Sequence, residues 1–157
     1  MYLLMMRAGK FLERHMWLYY LLNYTWGMIT TLTGWLTIFF CWLVLAKDIH
    51  RHGPAHYIAI GDNWGGLEFG VCFLVANNMG EAWTLHTKQH ETGHSFQNAV
   101  LGPFMIFLVA IPSACRYWYQ VIAGKHGKTF SADWYDNAWF EGSATRIGEE
   151  YDALKSE

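Results

Sequence analysis

Residues 16–46 carry no formally charged side chain, and residues 35–45 are almost wholly apolar. A helix needs about 20 such residues to cross a hydrocarbon layer of about 30 Å, so the pattern predicts an N-terminal transmembrane helix over 16–46. Arg7, Lys10 and Arg14 precede it, Lys47 and Arg51 follow it, and Trp17, Tyr19, Tyr20, Tyr24 and Trp26 supply an aromatic belt at its first end. These flanks fit a signal anchor with a slight preference for a cytoplasmic N-terminus, and they do not fit a cleaved signal peptide. Beyond Lys47 the helical period gives way to turn signals at Gly53-Pro54, Gly61-Asp62-Asn63 and Gly65-Gly66. Those turns bound residues 55–60 and 67–75. In the second run Leu67, Phe69, Val71, Phe73 and Val75 alternate with Glu68, Gly70, Cys72 and Leu74, which predicts a strand with one well-buried face. The two runs together predict a small β-hairpin over 55–76.

A helical pattern resumes over 80–99, and a second apolar stretch follows over 100–124, divided by Pro112-Ser113 into halves of roughly a dozen residues. Such halves suit a re-entrant helical hairpin; a second transmembrane span is the competing topology. The short connector over 125–133 reaches at most about 30 Å when extended, which favours the hairpin. Arg116, Tyr117, Trp118 and Tyr119 also suit an interfacial place better than the bilayer centre. Finally, Trp139, Phe140, Ala144, Ile147 and Tyr151 mark an amphipathic helix over 134–153. The expected fold is a membrane α+β domain covering residues 1–157.

Composition agrees with lipid as solvent. Hydrophobic residues make up 53% of the chain and charged residues 15%, against about 25% charged in ordinary soluble domains. The net charge is -2 and Lys and Arg are scattered, so no basic stripe exists for nucleic acid. Cys41, Cys72 and Cys115 are an odd number set far apart in apolar stretches, which reads as buried free thiols.

The chemistry lies in His90-Glu91-Thr92-Gly93-His94. Histidines four apart on a helix project from one face, one turn apart, and can grip one ion. Zinc suits two neutral imidazoles plus a carboxylate, with a fourth position for water. Glu91, beside the first ligand, is placed to take that water's proton. The third ligand should come from the C-terminal amphipathic helix, where Glu141 lies among apolar residues and is followed by small Gly142, Ser143 and Ala144. Asp133, Asp136 and His126 are the replacement ligands. Tyr117, His126, Tyr135 and Arg146 are eligible to steady an oxyanion, and nothing in their spacing selects one. An exposed edge at Leu67, Phe69, Val71, Phe73 and Val75 would bind a peptide or membrane-protein substrate by strand addition.

His90-Glu91-Thr92-Gly93-His94-Ser95-Phe96-Gln97, followed by Leu101-Gly102-Pro103 and Ile111-Pro112-Ser113, resembles a family of small bacterial membrane proteins with an HEYGH-type zinc motif. Gly65-Gly66-Leu67-Glu68-Phe69-Gly70 is similar to that family's glycine-rich strand entry, and Glu141-Gly142-Ser143-Ala144 to its Glu-x-x-Ala segment. More broadly, the pattern resembles gluzincin zinc peptidases. The resemblance implies a bacterial cytoplasmic-membrane metallopeptidase with His90, His94 and Glu141 as zinc ligands and Glu91 as general base. Thr92 stands where the family has an aromatic, and Thr145 where an Asp is expected. Two alternatives share these residues: a non-catalytic zinc-binding membrane protein, which does not need Glu91, and a lipid-directed metallohydrolase.

Overall fold

The computed structural model describes residues 1–131 and 134–156. It is a mixed α+β structure with six helices and a four-stranded sheet. The elements run α1 (Tyr2–Arg14), α2 (Met16–Tyr24), α3 (Met28–Leu45), β1 (His50–His52), β2 (Ala55–Asp62), β3 (Gly66–Phe69), β4 (Cys72–Asn77), α4 (Glu81–Leu101), α5 (Ile111–Lys125) and α6 (Trp139–Ser156). A 3-10 turn (Gly102–Phe104) and a π turn (Ile106–Ala110) lead from α4 into α5.

The apolar run over 16–46 is two helices instead of one. Thr25, Trp26 and Gly27 separate α2 from α3. The cause is a buried polar cluster: Asn98 of α4 donates to Asn23 Oδ1 at 2.7 Å, and Thr30 donates to Asn98 Oδ1. A side chain at Gly27 would collide with Asn98. The break turns α2 onto α4 and satisfies these groups, whereas buried amides without partners would each cost about 1–3 kcal/mol. It leaves α3, 18 residues long, as the apolar helix.

The hairpin predicted over 55–76 is also divided. The run over 67–75 turns back on itself at Gly70-Val71, so β3 and β4 pair antiparallel with Leu67 opposite Leu74 and Glu68 opposite Phe73. Gly70 has φ 68 and packs on Thr31 of α3, a left-handed position with no room for a side chain. β4 then runs parallel to β2, β2 pairs antiparallel with β1, and the sheet order is β1-β2-β4-β3. The two-residue turn shifts the alternation. Phe73 and Val75 now share a face with Glu68 and Gly66, while Leu67 is exposed. Val71 sits in the turn, and Phe73 and Val75 lie on a central strand, so neither serves as a free edge.

No re-entrant hairpin forms at Pro112-Ser113. Residues Ile106–Lys125 form one helix of 20 residues. Proline within a helix collides with the carbonyl four residues back. Here Pro112 falls in the first turn of α5, directly after the wider π turn, which relieves that clash. Among the described residues two helices, α3 and Ile106–Lys125, are therefore long and apolar enough to cross a membrane.

The tightest packing is between α4 and α6. A Cβ on Gly93 would strike the Ala144 backbone, and one on Gly148 the Gln89 backbone, so the two helices touch main chain to main chain. Gly148→Ala is expected to cost about 3 kcal/mol by forcing that crossing apart. Gly65→Ala, at a position with open space around it, should leave stability nearly unchanged. Thermal unfolding of the two purified variants tests the contrast.

Candidate metal centre

His90 and His94 lie one turn apart on α4, and the close crossing brings Glu141, in the first turn of α6, up against both. His90 Nε2 and His94 Nε2 are 3.0 Å apart, and Glu141 Oε2 lies 3.1 Å from the first and 3.2 Å from the second. Glu141 is fully buried.

The other ring nitrogens fix how these atoms are charged. His94 Nδ1 is 2.8 Å from Gln97 Oε1, while the Gln97 amide donates to the Phe140 carbonyl at 2.6 Å and to Ser143 Oγ at 2.9 Å. Gln97 Oε1 can only accept, so His94 Nδ1 carries a proton. His90 Nδ1 is 2.8 Å from Thr145 Oγ1, whose hydroxyl donates to Asp136 Oδ1 at 3.3 Å, so this nitrogen is a donor as well. Thr145, standing where the sequence led us to expect Asp, thus passes the support of Asp136 on to His90. Hydrogen bonds of this kind set the tautomer and orientation of metal-binding histidines.

In the neutral tautomers both Nε2 lone pairs point at each other and at a carboxylate. Three electron-rich atoms so close together require a cation between them. Glu141 Oε1 is also buried without a hydrogen-bond partner. The donor set of His90, His94 and Glu141 could hold a metal ion. Without one, a proton fills the role. Burial opposes a charge on His94, but the hydrogen bond and charge of Glu141, joined by Glu91 and Glu68, raise its pKa to about 9. Burial would likewise push Glu141 up, yet the hydrogen bonds from His90 and His94 hold it well below the usual carboxylate range.

Beside the cluster lies a cavity of about 850 Å³. Its walls come from the start of β3, from α4, from the helix Ile106–Lys125 and from Tyr135-Asp136. Glu91 is buried in this wall, its carboxylate packed on Gly66 of β3, where a Cβ would strike it. Burial raises the pKa of Glu91 and the two histidines partly offset that rise.

Of the residues eligible as oxyanion donors, Tyr117 and Tyr135 line the cavity. Tyr135 hydrogen-bonds Ser113 Oγ at 2.9 Å, and burial followed by the charge of Glu141 keeps its phenol protonated. His126 and Arg146 are not brought to the site. The unbroken helix carries His126 to its exposed far end, and Arg146 faces solvent beside Glu149 at 3.8 Å. Asp136 is the support of Thr145 instead of a replacement ligand, and Asp133 lies outside the described residues. Glu68 was missed by the sequence reading. It also lines the cavity, and burial pushes its carboxyl up to about 8, His94 acting against the rise and Glu91 with it. The signal for it was Gly70 inside an apparently continuous strand, which marks the turn that shifts Glu68 to the inner face.

No family model, curated protein or solved structure matches the chain. The chemistry of the site therefore rests on its own geometry.

The raised pKa of His94 sets a pH dependence for the metal-free protein. A histidine whose folded pKa lies above its ordinary 6.5 stabilises the fold fully below pH 6.5, and that contribution is lost as pH rises toward about 9. The melting temperature of chelator-treated protein should fall between pH 6.5 and 9, and His94→Ala should remove that part of the slope.

Proposed function

We propose that the chain is an integral membrane zinc metallohydrolase that cleaves peptide bonds. The observation that supports this reading is the convergence of His90 Nε2, His94 Nε2 and Glu141 Oε2, with Glu91 on the same cavity wall. Tetrahedral zinc with bonds of about 2.0–2.1 Å has ligand-to-ligand edges of about 3.3 Å, close to the 3.0 to 3.2 Å found here. Two imidazoles and one carboxylate are a zinc-type donor set. Three protein ligands leave a position open, as catalytic zinc sites do; structural sites are closed by four.

When bound, zinc supplies Lewis acidity, polarising a carbonyl and lowering the pKa of water toward about 7. Glu91 takes the proton from the attacking water and delivers it to the leaving amine, a role that its raised pKa suits. Tyr135 donates its phenolic proton toward the developing oxyanion. The peptide lies along β3, the edge strand of the sheet that borders the cavity. The bond from Ala76 N–H to the Gly65 carbonyl at 2.9 Å sets the ladder's phase. Gly66 and Glu68 thereby present their main-chain groups to the free edge. Leu67 and Phe69 remain from the substrate-binding strand expected over 67–75.

Membrane placement is supported by exposure. The apolar window of α3 is 22% buried and that of Ile106–Lys125 is 6% buried, whereas core helices of soluble proteins are mostly buried. Lipid covers such surfaces at no cost in free energy.

Elemental mass spectrometry of the detergent-purified protein tests the metal. About one zinc per chain is expected, lost in His94→Ala and Glu141→Ala; zinc that survives Glu141→Ala would defeat the ligand assignment. With peptide substrates, Glu91→Gln should lower kcat about 10²–10⁴-fold while zinc is kept. Gly66→Ala, which displaces the Glu91 carboxylate and touches no ligand, should lower kcat with normal zinc content. Full activity in either variant would remove Glu91 as the base.

A further inference from the structure

The cavity beside the metal centre is lopsided in charge. Among the described residues its walls carry Glu68, Glu91 and Asp136 but no lysine or arginine. The cations on neighbouring elements are engaged elsewhere. Lys88 of α4 lies 4.7 Å from the ring centre of Tyr57, and Arg116 of α5 donates to the Tyr135 carbonyl at 3.1 Å. With Glu141 engaged by the two histidines, Glu68, Glu91 and Asp136 are the acidic side chains on the walls.

Three of those carboxylates have roles already described: Glu141 meets both histidines, Asp136 supports Thr145, and Glu91 faces Gly66. Glu68 has none. The residue is half-buried, its Oε1 is buried without a hydrogen-bond partner, and the main-chain N–H of Gly70 donates to the carboxyl group. A buried acidic oxygen left without a donor is costly, and the cost is relieved when a ligand supplies the donor. Trp64, Trp83 and Trp118 line the same space, and indole faces attract cations.

We propose that this cavity binds a primary ammonium group of its substrate, with Glu68 as the counter-ion. The position on β3 gives the reason for an ammonium of a peptide. Glu68 is one of the two β3 residues whose main-chain groups face the free edge, so an extended peptide added there passes directly beside its side chain. Two sources of the cation fit, a free amino terminus and a lysyl side chain. An ammonium brings three donors to a carboxylate that has one, and such charge-assisted bonds are about twice as strong as neutral ones. Glu68 selects substrate and takes no part in proton transfer.

The inference rests on the peptidase reading for the identity of the ligand, and a binding measurement keeps the two separable. The probes are alanyl-phenylalaninamide, its N-acetyl form, and N-acetyl-lysyl-phenylalaninamide. They are titrated by calorimetry at neutral pH into chelator-treated full-length protein, in which no zinc-dependent hydrolysis occurs. At least one cationic probe should bind about tenfold or more tighter than the neutral one, and Glu68→Gln should erase that advantage. An advantage for the first probe assigns the cation to the amino terminus, and one for the lysyl probe assigns it to the side chain. Equal binding of all three, or of none, by the wild-type protein overturns the proposal without reference to any variant, as does an advantage that survives in a folded Glu68→Gln. If the zinc-loaded protein cleaves no peptide yet the cation preference holds, the peptidase reading fails and the ammonium site stands.

Discussion

The site depends on how near α4 and α6 can come. Glutamate is a short side chain, and Glu141 reaches both histidines of α4 because Gly93 and Gly148 let the helices meet backbone to backbone. Any side chain at either position would separate the axes and open the triangle of donors by more than its edges tolerate. Small residues at helix crossings are a common means of tight association in lipid, where apolar surface gains little from leaving the solvent. The residues that fill the crossing are polar. Gln97 bonds Phe140 and Ser143 across it, and Thr145 meets His90. One contact surface thus sets helix spacing, histidine tautomer and ligand reach together.

That coupling also explains why so much polarity is buried in so apolar a chain. Tyr19 donates to Ser95, Asn98 to Asn23, and Thr30 to Asn98, all on the face of α4 turned toward α2 and α3. The adjoining face carries the histidines, with Asn98 one turn beyond His94. α4 is therefore held on two neighbouring faces by side-chain hydrogen bonds, and the imidazoles inherit its rigidity. A fully satisfied buried network specifies geometry in a way that interchangeable apolar contacts do not. The cluster of two lone pairs and a carboxylate would repel itself in a looser frame.

The features legible in the sequence were those carried by local spacing. His90, Glu91 and His94 are fixed by helical period, and Glu141 was found because a carboxylate among apolar residues needs a partner. The helix over 80–99 and the C-terminal helix were visible for the same reason. What escaped was set by contacts distant in sequence. Nothing near Gly27 reveals that Asn98 will demand a break there, and nothing near Pro112 reveals that a π turn will absorb the proline. The support of His90 was misjudged because an Asp was sought at 145, whereas the Thr there borrows the carboxylate of Asp136. The strand error had the widest effect. Reading residues 67–75 as one strand kept a strict alternation, and strict alternation put Glu68 on the wrong face; a single two-residue turn reverses it.

The least anchored wall of the cavity belongs to the helix Ile106–Lys125. Val109 anchors the start of that helix in the core, but α5 beyond it has no buried residue. There Arg116 donates to the carbonyls of Tyr135 and Trp134 and stacks on the Trp134 ring at 3.8 Å, Ser113 meets the Tyr135 hydroxyl, and Tyr119 packs against Trp134. Such bonds are weak against water and stronger in a dry, low-dielectric setting. They also join the helix to Tyr135, which lines the cavity and lies close enough to Glu141 to feel its charge. The position of Tyr135 relative to the His90, His94 and Glu141 cluster is therefore tied to a helix that is long and apolar enough to cross a membrane and only 6% buried. Loosening of that wall would leave the α4 and α6 crossing, and with it the three donor atoms, in place.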